Sequence, residues 1–150
     1  MSLVFWAVFT SLVLGLVPLS GHTALAQDAE TLIVRNDRGG ELAKRLRQIR
    51  ELRQSGRPVE IRGGVCFSTC TMFLGLPQTC ISSRTVFGFH GPSSYGRPLA
   101  PKVFEEASHV IADHYPPALK RWYLETGRYR IRTLHRIRGA RLIDLGVRGC

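Results

Sequence analysis

Residues 31–64 read TLIVRNDRGGELAKRLRQIRELRQSGRPVEIRGG, and the class of fold turns on this stretch. Thr31-Leu32-Ile33-Val34 is a short apolar run of β-prone residues, which predicts a buried strand. Asn36-Asp37-Arg38-Gly39-Gly40 supplies a turn. From Glu41 to Gln54, Leu42, Leu46, Ile49 and Leu52 share one helical face, while Lys44, Arg45, Arg47, Arg50 and Arg53 fall mostly elsewhere. That spacing predicts an amphipathic helix. Ser55-Gly56-Arg57-Pro58 stops it. Val59-Glu60-Ile61-Arg62 alternates as a second strand, closed by Gly63-Gly64. Strand, turn, helix and strand in this order form a βαβ unit, with the two strands parallel and the helix packed over them.

Working outward toward the carboxyl end, Thr69 to Leu74 predicts a short buried helix and Pro77 to Arg84 a loop. Thr85-Val86-Phe87-Gly88-Phe89 is a third strand, left by His90-Gly91-Pro92-Ser93-Ser94. Ser93 to Pro101 reads as a polar loop, whose Ser93-Ser94 pair is a candidate groove lining. Lys102 to His114 predicts a helix with Val103, Phe104, Ala107, Val110 and Ile111 inward. Pro116 to Thr126 predicts another, with Leu119, Trp122 and Tyr123. Arg128 to Arg132 alternates without deciding an element, and Arg138 to Leu145 is a last helix. The class is α/β: a small parallel sheet with flanking helices.

Toward the amino end, Met1 to Ala26 contains no Lys, Arg, Asp or Glu. Its apolar run ends in Ala24-Leu25-Ala26, a small-x-small cleavage pattern, and Pro18 interrupts helix propagation. Residues 1–26 are therefore expected to be a signal peptide and 27–150 the domain, exported to a periplasmic or extracellular space. A basic n-region is missing, and the rival reading is an uncleaved anchor. A chain of 150 residues allows one such domain.

The 21 Lys and Arg outnumber the 11 Asp and Glu, for a formal charge of +10. Lys44, Lys102 and Lys120 are the only lysines, so the excess is arginine. The plain reading is a solvated basic face. Nucleic acid is not expected as a partner, because export opposes it and Tyr129 between Arg128 and Arg130 is the only stacking signal of note. An anionic envelope surface fits an exported basic chain better.

Cys66, Cys70, Cys80 and Cys150 make an even set. In an oxidising compartment they predict two disulfides, with three connectivities open. The rival is a metal site with His90, but C-x3-C-x9-C-x9-H matches no common zinc module, and no metal or cofactor is expected. A nucleophilic cysteine is a third reading.

Three features fall at predicted strand ends, where ligands gather in parallel α/β sheets. They are Gly39-Gly40, Ser68 within Cys66-Phe67-Ser68-Thr69-Cys70, and His90. A serine hydroxyl needs an adjacent base to act as a nucleophile. An imidazole can take and return the proton. Backbone N–H groups, brought close by glycine, can stabilise an oxyanion. Each residue alone has a bland role: Ser68 as a helix cap, Gly39-Gly40 as a turn, His90 as a strand-end residue.

From Thr31 to Pro92 the chain resembles the core of the Clp protease proteolytic subunit, within the ClpP/crotonase fold. The apolar strand ends in Asp37-Arg38-Gly39-Gly40 where that family has Pro-Gly-Gly. Ser68 opens the apolar run Thr69-Cys70-Thr71-Met72-Phe73-Leu74-Gly75, and His90 follows Phe87-Gly88-Phe89. The cysteine-flanked form, with Tyr115-Pro116, Trp122 and Cys150, is similar to small exported bacterial ClpP-like proteins. The resemblance implies a serine hydrolase, peptidase-like, with Ser68 as nucleophile and His90 as base. It further implies an oxyanion hole from Gly39, Gly40 and Thr69, and a peptide or other acyl substrate. The family's acid before the last helix is missing: Arg132 to Arg138 has no Asp or Glu, which leaves Asp144, or Asp113, as a third member. The alternative is an inactive ClpP-like fold that binds or builds the cell envelope.

Overall fold

Gly63-Gly64 does not end the second strand but lets it continue. In the computed structural model, which describes residues 30–150, β1 spans Leu32–Asp37 and β2 spans Val59–Phe67. They pair in parallel from Leu32 opposite Val59 to Asp37 opposite Cys66, with a bulge between Val34 and Asn36. At the bulge a Cβ on Gly63 would overlap the Arg35 carbonyl. Glycine is therefore needed there for the strands to approach. The Asn36 side chain accepts the Gly64 N–H at 3.0 Å, so Asn36 and Asp37 belong to the strand rather than to the expected turn.

Helix α1, Leu42–Ser55, crosses between them and ends at Gly56, whose φ of 64° is the left-handed cap favoured for glycine. Ile49 and Leu52 are buried and Leu42 and Leu46 pack on the core, as the periodicity predicts. The βαβ unit is thus formed. A 3-10 helix, Ser68–Gly75, replaces the expected buried helix and contributes Met72, Phe73 and Leu74 to the core.

Two more parallel strands lie beside β2. Strand β3, Thr79–Ile81, pairs with its first half, and β4, Val86–Phe89, with its second. The stretch 77–84 expected as loop therefore contains a strand, short enough to lack a readable pattern. A two-stranded hairpin, β5 Ser93–Ser94 and β6 Arg97–Pro98, occupies the expected polar loop.

Helices α2, Pro101–Ala112, and α3, Pro117–Glu125, follow, and a 3-10 turn at Gly127–Tyr129 comes next. On α2 the inward face is Ser108, Ile111 and Ala112, whereas Val103 and Val110 are exposed. The expected inward set is corrected there: the covered face is narrower than the apolar set, and the two valines lie off it.

Strand β7, His135–Arg138, closes the sheet and α4, Gly139–Asp144, ends the ordered elements. The sheet is five-stranded, ordered β1-β2-β4-β7 with β3 also on β2. Strands β1 to β4 run parallel, and β7 pairs antiparallel to β4. The protein is α/β with a mixed, mostly parallel sheet; the antiparallel edge corrects the all-parallel expectation. Among the described residues no helix is long and apolar enough to cross a membrane. The expected signal peptide, residues 1–26, lies outside the described residues.

Both disulfides form, as Cys66–Cys70 and Cys80–Cys150. No thiol is left free, which removes the cysteines as nucleophile or metal ligands. The first clasps the turn after β2. The second ties the carboxyl terminus to β3, reinforced by Cys150 N–H donating to the Ile81 carbonyl at 3.0 Å.

Candidate active site

The carboxyl ends of β1, β2 and β4 lie on one edge of the sheet because these strands are parallel and adjacent. Each delivers one element of the predicted constellation. After β1 comes Asp37-Arg38-Gly39-Gly40, after β2 Ser68, and after β4 His90. Gly40, Ser68, Thr69 and His90 line one cavity of about 630 Å³. Its walls add Leu42, Leu99, Ala107, Ile111 and Tyr115, with Glu41, Ser93 and Ser94 as polar lining.

Ser68 has φ +56°, a left-handed conformation uncommon for a residue with a Cβ. Such a conformation costs about 1–2 kcal/mol, so its surroundings must hold it. Four features do so. Phe67 anchors the preceding position in β2, buried against the sheet. The Cys66–Cys70 bridge spans the turn with Cα atoms 5.3 Å apart. Thr71 Oγ1 donates to the Ser68 carbonyl at 2.7 Å and also meets Tyr115 Oη at 2.6 Å. Gly39, with φ +90°, leaves room for the serine: a Cβ on it would stand 2.5 Å from Ser68 Cβ and 3.0 Å from Oγ.

The imidazole of His90 is fixed through Nδ1, which lies 2.7 Å from the Gly91 carbonyl. A carbonyl can only accept, so Nδ1 carries the hydrogen, and in the neutral imidazole Nε2 is then the nitrogen with the lone pair. This is the tautomer a general base requires. The His90 carbonyl accepts from Tyr123 Oη at 3.1 Å, and Gly91 N–H donates to the Arg130 carbonyl at 2.8 Å. The backbone on both sides of the ring is thereby held. Ser68 and His90 share the cavity without a direct hydrogen bond between Oγ and the ring; such bonds commonly tighten only when substrate is present.

The proposed oxyanion donors separate. Gly39 N–H is taken by Asp37 Oδ1 at 2.7 Å, and Asp37 also pairs with the buried guanidinium of Arg45. Gly39 therefore shapes the site without being free to donate. Gly40 N–H has no acceptor among the described residues, and Thr69 N–H belongs to the first turn of the 3-10 helix, where backbone donors lack an intrahelical partner. Thr69 Oγ1 donates to the Gly40 carbonyl at 3.4 Å, which links the two loops that carry them.

Asp144 is not brought to His90. It is exposed on α4, 3.8 Å from Arg141, and does not line the cavity. Asp113 is exposed and bound to Lys120 at 2.6 Å. The sequence order allowed either acid; α4 packs beside β7, away from the carboxyl end of β4. What the sequence did not reveal is that a backbone carbonyl takes the Nδ1 position. The Tyr115 and Tyr123 roles were also hidden, although both lie on one helical connection whose aromatic density is visible. Burial pushes both phenols well above their ordinary range, with the Thr71 hydroxyl partly opposing the effect at Tyr115. They remain neutral and able to donate.

Comparison with family models, curated proteins and solved structures found no match.

Proposed function

We propose that the protein is an exported serine hydrolase with a ClpP/crotonase-like core, acting on a peptide or another acyl compound. The observation that carries this reading is the strained Ser68 turn opening on the same cavity as an imidazole whose Nδ1 is held by a backbone carbonyl. Strand-to-helix turns of this kind present a nucleophilic oxygen above a sheet edge.

In this reading Ser68 Oγ bonds to the substrate carbonyl carbon as its proton passes to His90 Nε2. The carbonyl oxygen becomes an oxyanion facing the Gly40 and Thr69 N–H groups. Collapse breaks the bond to the leaving group, which takes the proton from His90 and leaves an acyl-serine. Water then gives a proton to Nε2 and attacks the acyl carbon; the bond to Ser68 Oγ breaks, and Oγ takes the proton back from Nε2 as the acid leaves. The Gly91 carbonyl fixes the tautomer but, being neutral, stabilises the imidazolium less than a carboxylate would. The two disulfides and the cleavage pattern at Ala24-Leu25-Ala26 support export.

A second reading, a catalytically silent binding protein of the envelope, is favoured by the missing carboxylate beside His90. A fluorophosphonate probe decides between them. Labelling of the oxidised protein that is lost in both Ser68→Ala and His90→Ala supports the hydrolase. Absence of labelling from a folded protein supports the silent binder.

A further inference from the structure

Arg136 lies where three surface concavities meet on the β7 edge of the sheet. The first, of about 320 Å³, is lined by Arg38, Val65, Phe67, Val86 and Arg136. The second, of about 550 Å³, is lined by Arg130, Arg132, Thr133, Leu134 and Arg136. The third, of about 620 Å³, brings Leu119, Trp122, Ile137 and Leu145 together with Arg136, Arg138 and Arg141. None of them shares a residue with the Ser68 cavity.

The strand register explains the layout. Phe67 and Arg136 both stand opposite Gly88, on one face of the sheet. Because Gly88 lacks a side chain, the Phe67 ring and Leu134 settle over it: a Cβ there would meet them at 2.5 and 2.9 Å. The Arg38 and Arg136 guanidiniums each lie 5.9 Å from the centre of that ring. Two exposed cations therefore flank one largely covered phenyl group.

These cations are short of counter-charges among the described residues. Among the described residues no carboxylate lies within 4.0 Å of Arg38, Arg130, Arg132, Arg136 or Arg138, and only Arg141 has one, Asp144 at 3.8 Å. Like charges gathered without acids repel one another and favour an anion from outside. The adjoining Trp122 and Leu145 surface is apolar, and an anionic polymer would leave it bare. A second copy would oppose +10 with +10.

We propose that the β7 edge docks the protein onto an anionic lipid surface. Headgroup phosphates meet Arg38, Arg132 and Arg136, and the Trp122–Leu145 cleft takes the glycerol and upper acyl region. Arginine suits this role because its fork donates to two phosphate oxygens at once.

The test is co-sedimentation of the full oxidised chain with vesicles one-third phosphatidylglycerol in phosphatidylcholine, against phosphatidylcholine alone. Binding is expected to the anionic vesicles, to fall with salt, and to survive Ser68→Ala. Removing one arginine from the contact should weaken partitioning about fivefold, and Arg132→Gln with Arg136→Gln together about 30-fold. Arg47→Gln with Arg50→Gln on α1, an equal charge loss elsewhere, should change it less than about twofold. If the first pair impairs folding, Arg38→Gln with Arg132→Gln repeats the measurement. Equal loss from the α1 pair would overturn the proposal by showing diffuse charge attraction. Equal binding to neutral vesicles, or binding to duplex DNA without binding to anionic vesicles, would also overturn it.

Discussion

Gly39 and Ser68 are packed so closely that the conformation of each depends on the other. A methyl group on Gly39 would sit 2.5 Å from Ser68 Cβ and 2.8 Å from the Phe67 carbonyl, and Gly39 itself has φ +90°. Gly39→Ala therefore combines backbone strain with overpacking, a loss of about 2–4 kcal/mol. Gly56→Ala, at φ +64° in open space, carries the strain alone and should cost about 1–2 kcal/mol. Urea unfolding of both variants measures the difference. Fluorophosphonate labelling, if wild type shows it, should fall at least about 100-fold in Gly39→Ala and stay near wild type in Gly56→Ala.

Asp144→Asn should leave probe labelling and its pH profile within about twofold of wild type, since the Gly91 carbonyl already occupies His90 Nδ1. A fall of 100-fold or more would show that Asp144 reaches the imidazole during reaction.

Tyr123→Phe removes the donor to the His90 carbonyl while keeping the ring that packs edge-on against Tyr115. The expected loss is about 1 kcal/mol in stability, with slower labelling at unchanged unfolding cooperativity. Equilibrium unfolding and timed labelling read the two effects separately.

The disulfides should divide between stability and shape. Cys80–Cys150 joins residues 70 apart in sequence, which by chain entropy is worth about 4 kcal/mol. Cys66–Cys70 closes a separation of only 4, worth about 2 kcal/mol, yet it brackets Ser68. Cys80→Ser with Cys150→Ser should lower the urea midpoint more. Cys66→Ser with Cys70→Ser should diminish labelling more at equal folded fraction.

His135 supplies a pH dependence of stability. Burial holds its pKa below the ordinary 6.5, Arg130 pushes the same way, and the Thr126 carbonyl opposes them. The unfolded chain thus binds this proton more readily than the folded one. The sign follows: the contribution is complete above 6.5 and is lost as pH falls through that value toward the lower folded pKa. Urea midpoints should decline less from pH 7 to about 5.5 in His135→Gln than in wild type. An equal decline would place the titration elsewhere.

The βαβ unit was legible because Val34, Ile49, Leu52, Val59 and Ile61 are apolar where they are buried, which sequence displays, although the strand expected to be buried at Thr31–Val34 is a sheet edge with Ile33 exposed. The placement of Gly39-Gly40, Ser68 and His90 at one sheet edge followed from parallel topology alone. What stayed hidden depended on partners. Gly63 reads as a stop until the Arg35 carbonyl lies against it. The strand His135–Arg138 buries none of its residues fully, two being half-buried and two exposed, so its pattern is faint. Gly39 resembles a free donor until Asp37 claims its N–H. The connectivity of the cysteines likewise required three-dimensional proximity.

The Cys66–Cys70 clasp makes the shape of the Ser68 turn answer to the chain's chemical surroundings. A newly made chain in a reducing interior would carry the serine, the imidazole and both glycines, but not the covalent staple that frames Ser68. Maturation of such a centre would then be timed by oxidation rather than by synthesis, and the producing cell's interior would meet it only in its unstapled form.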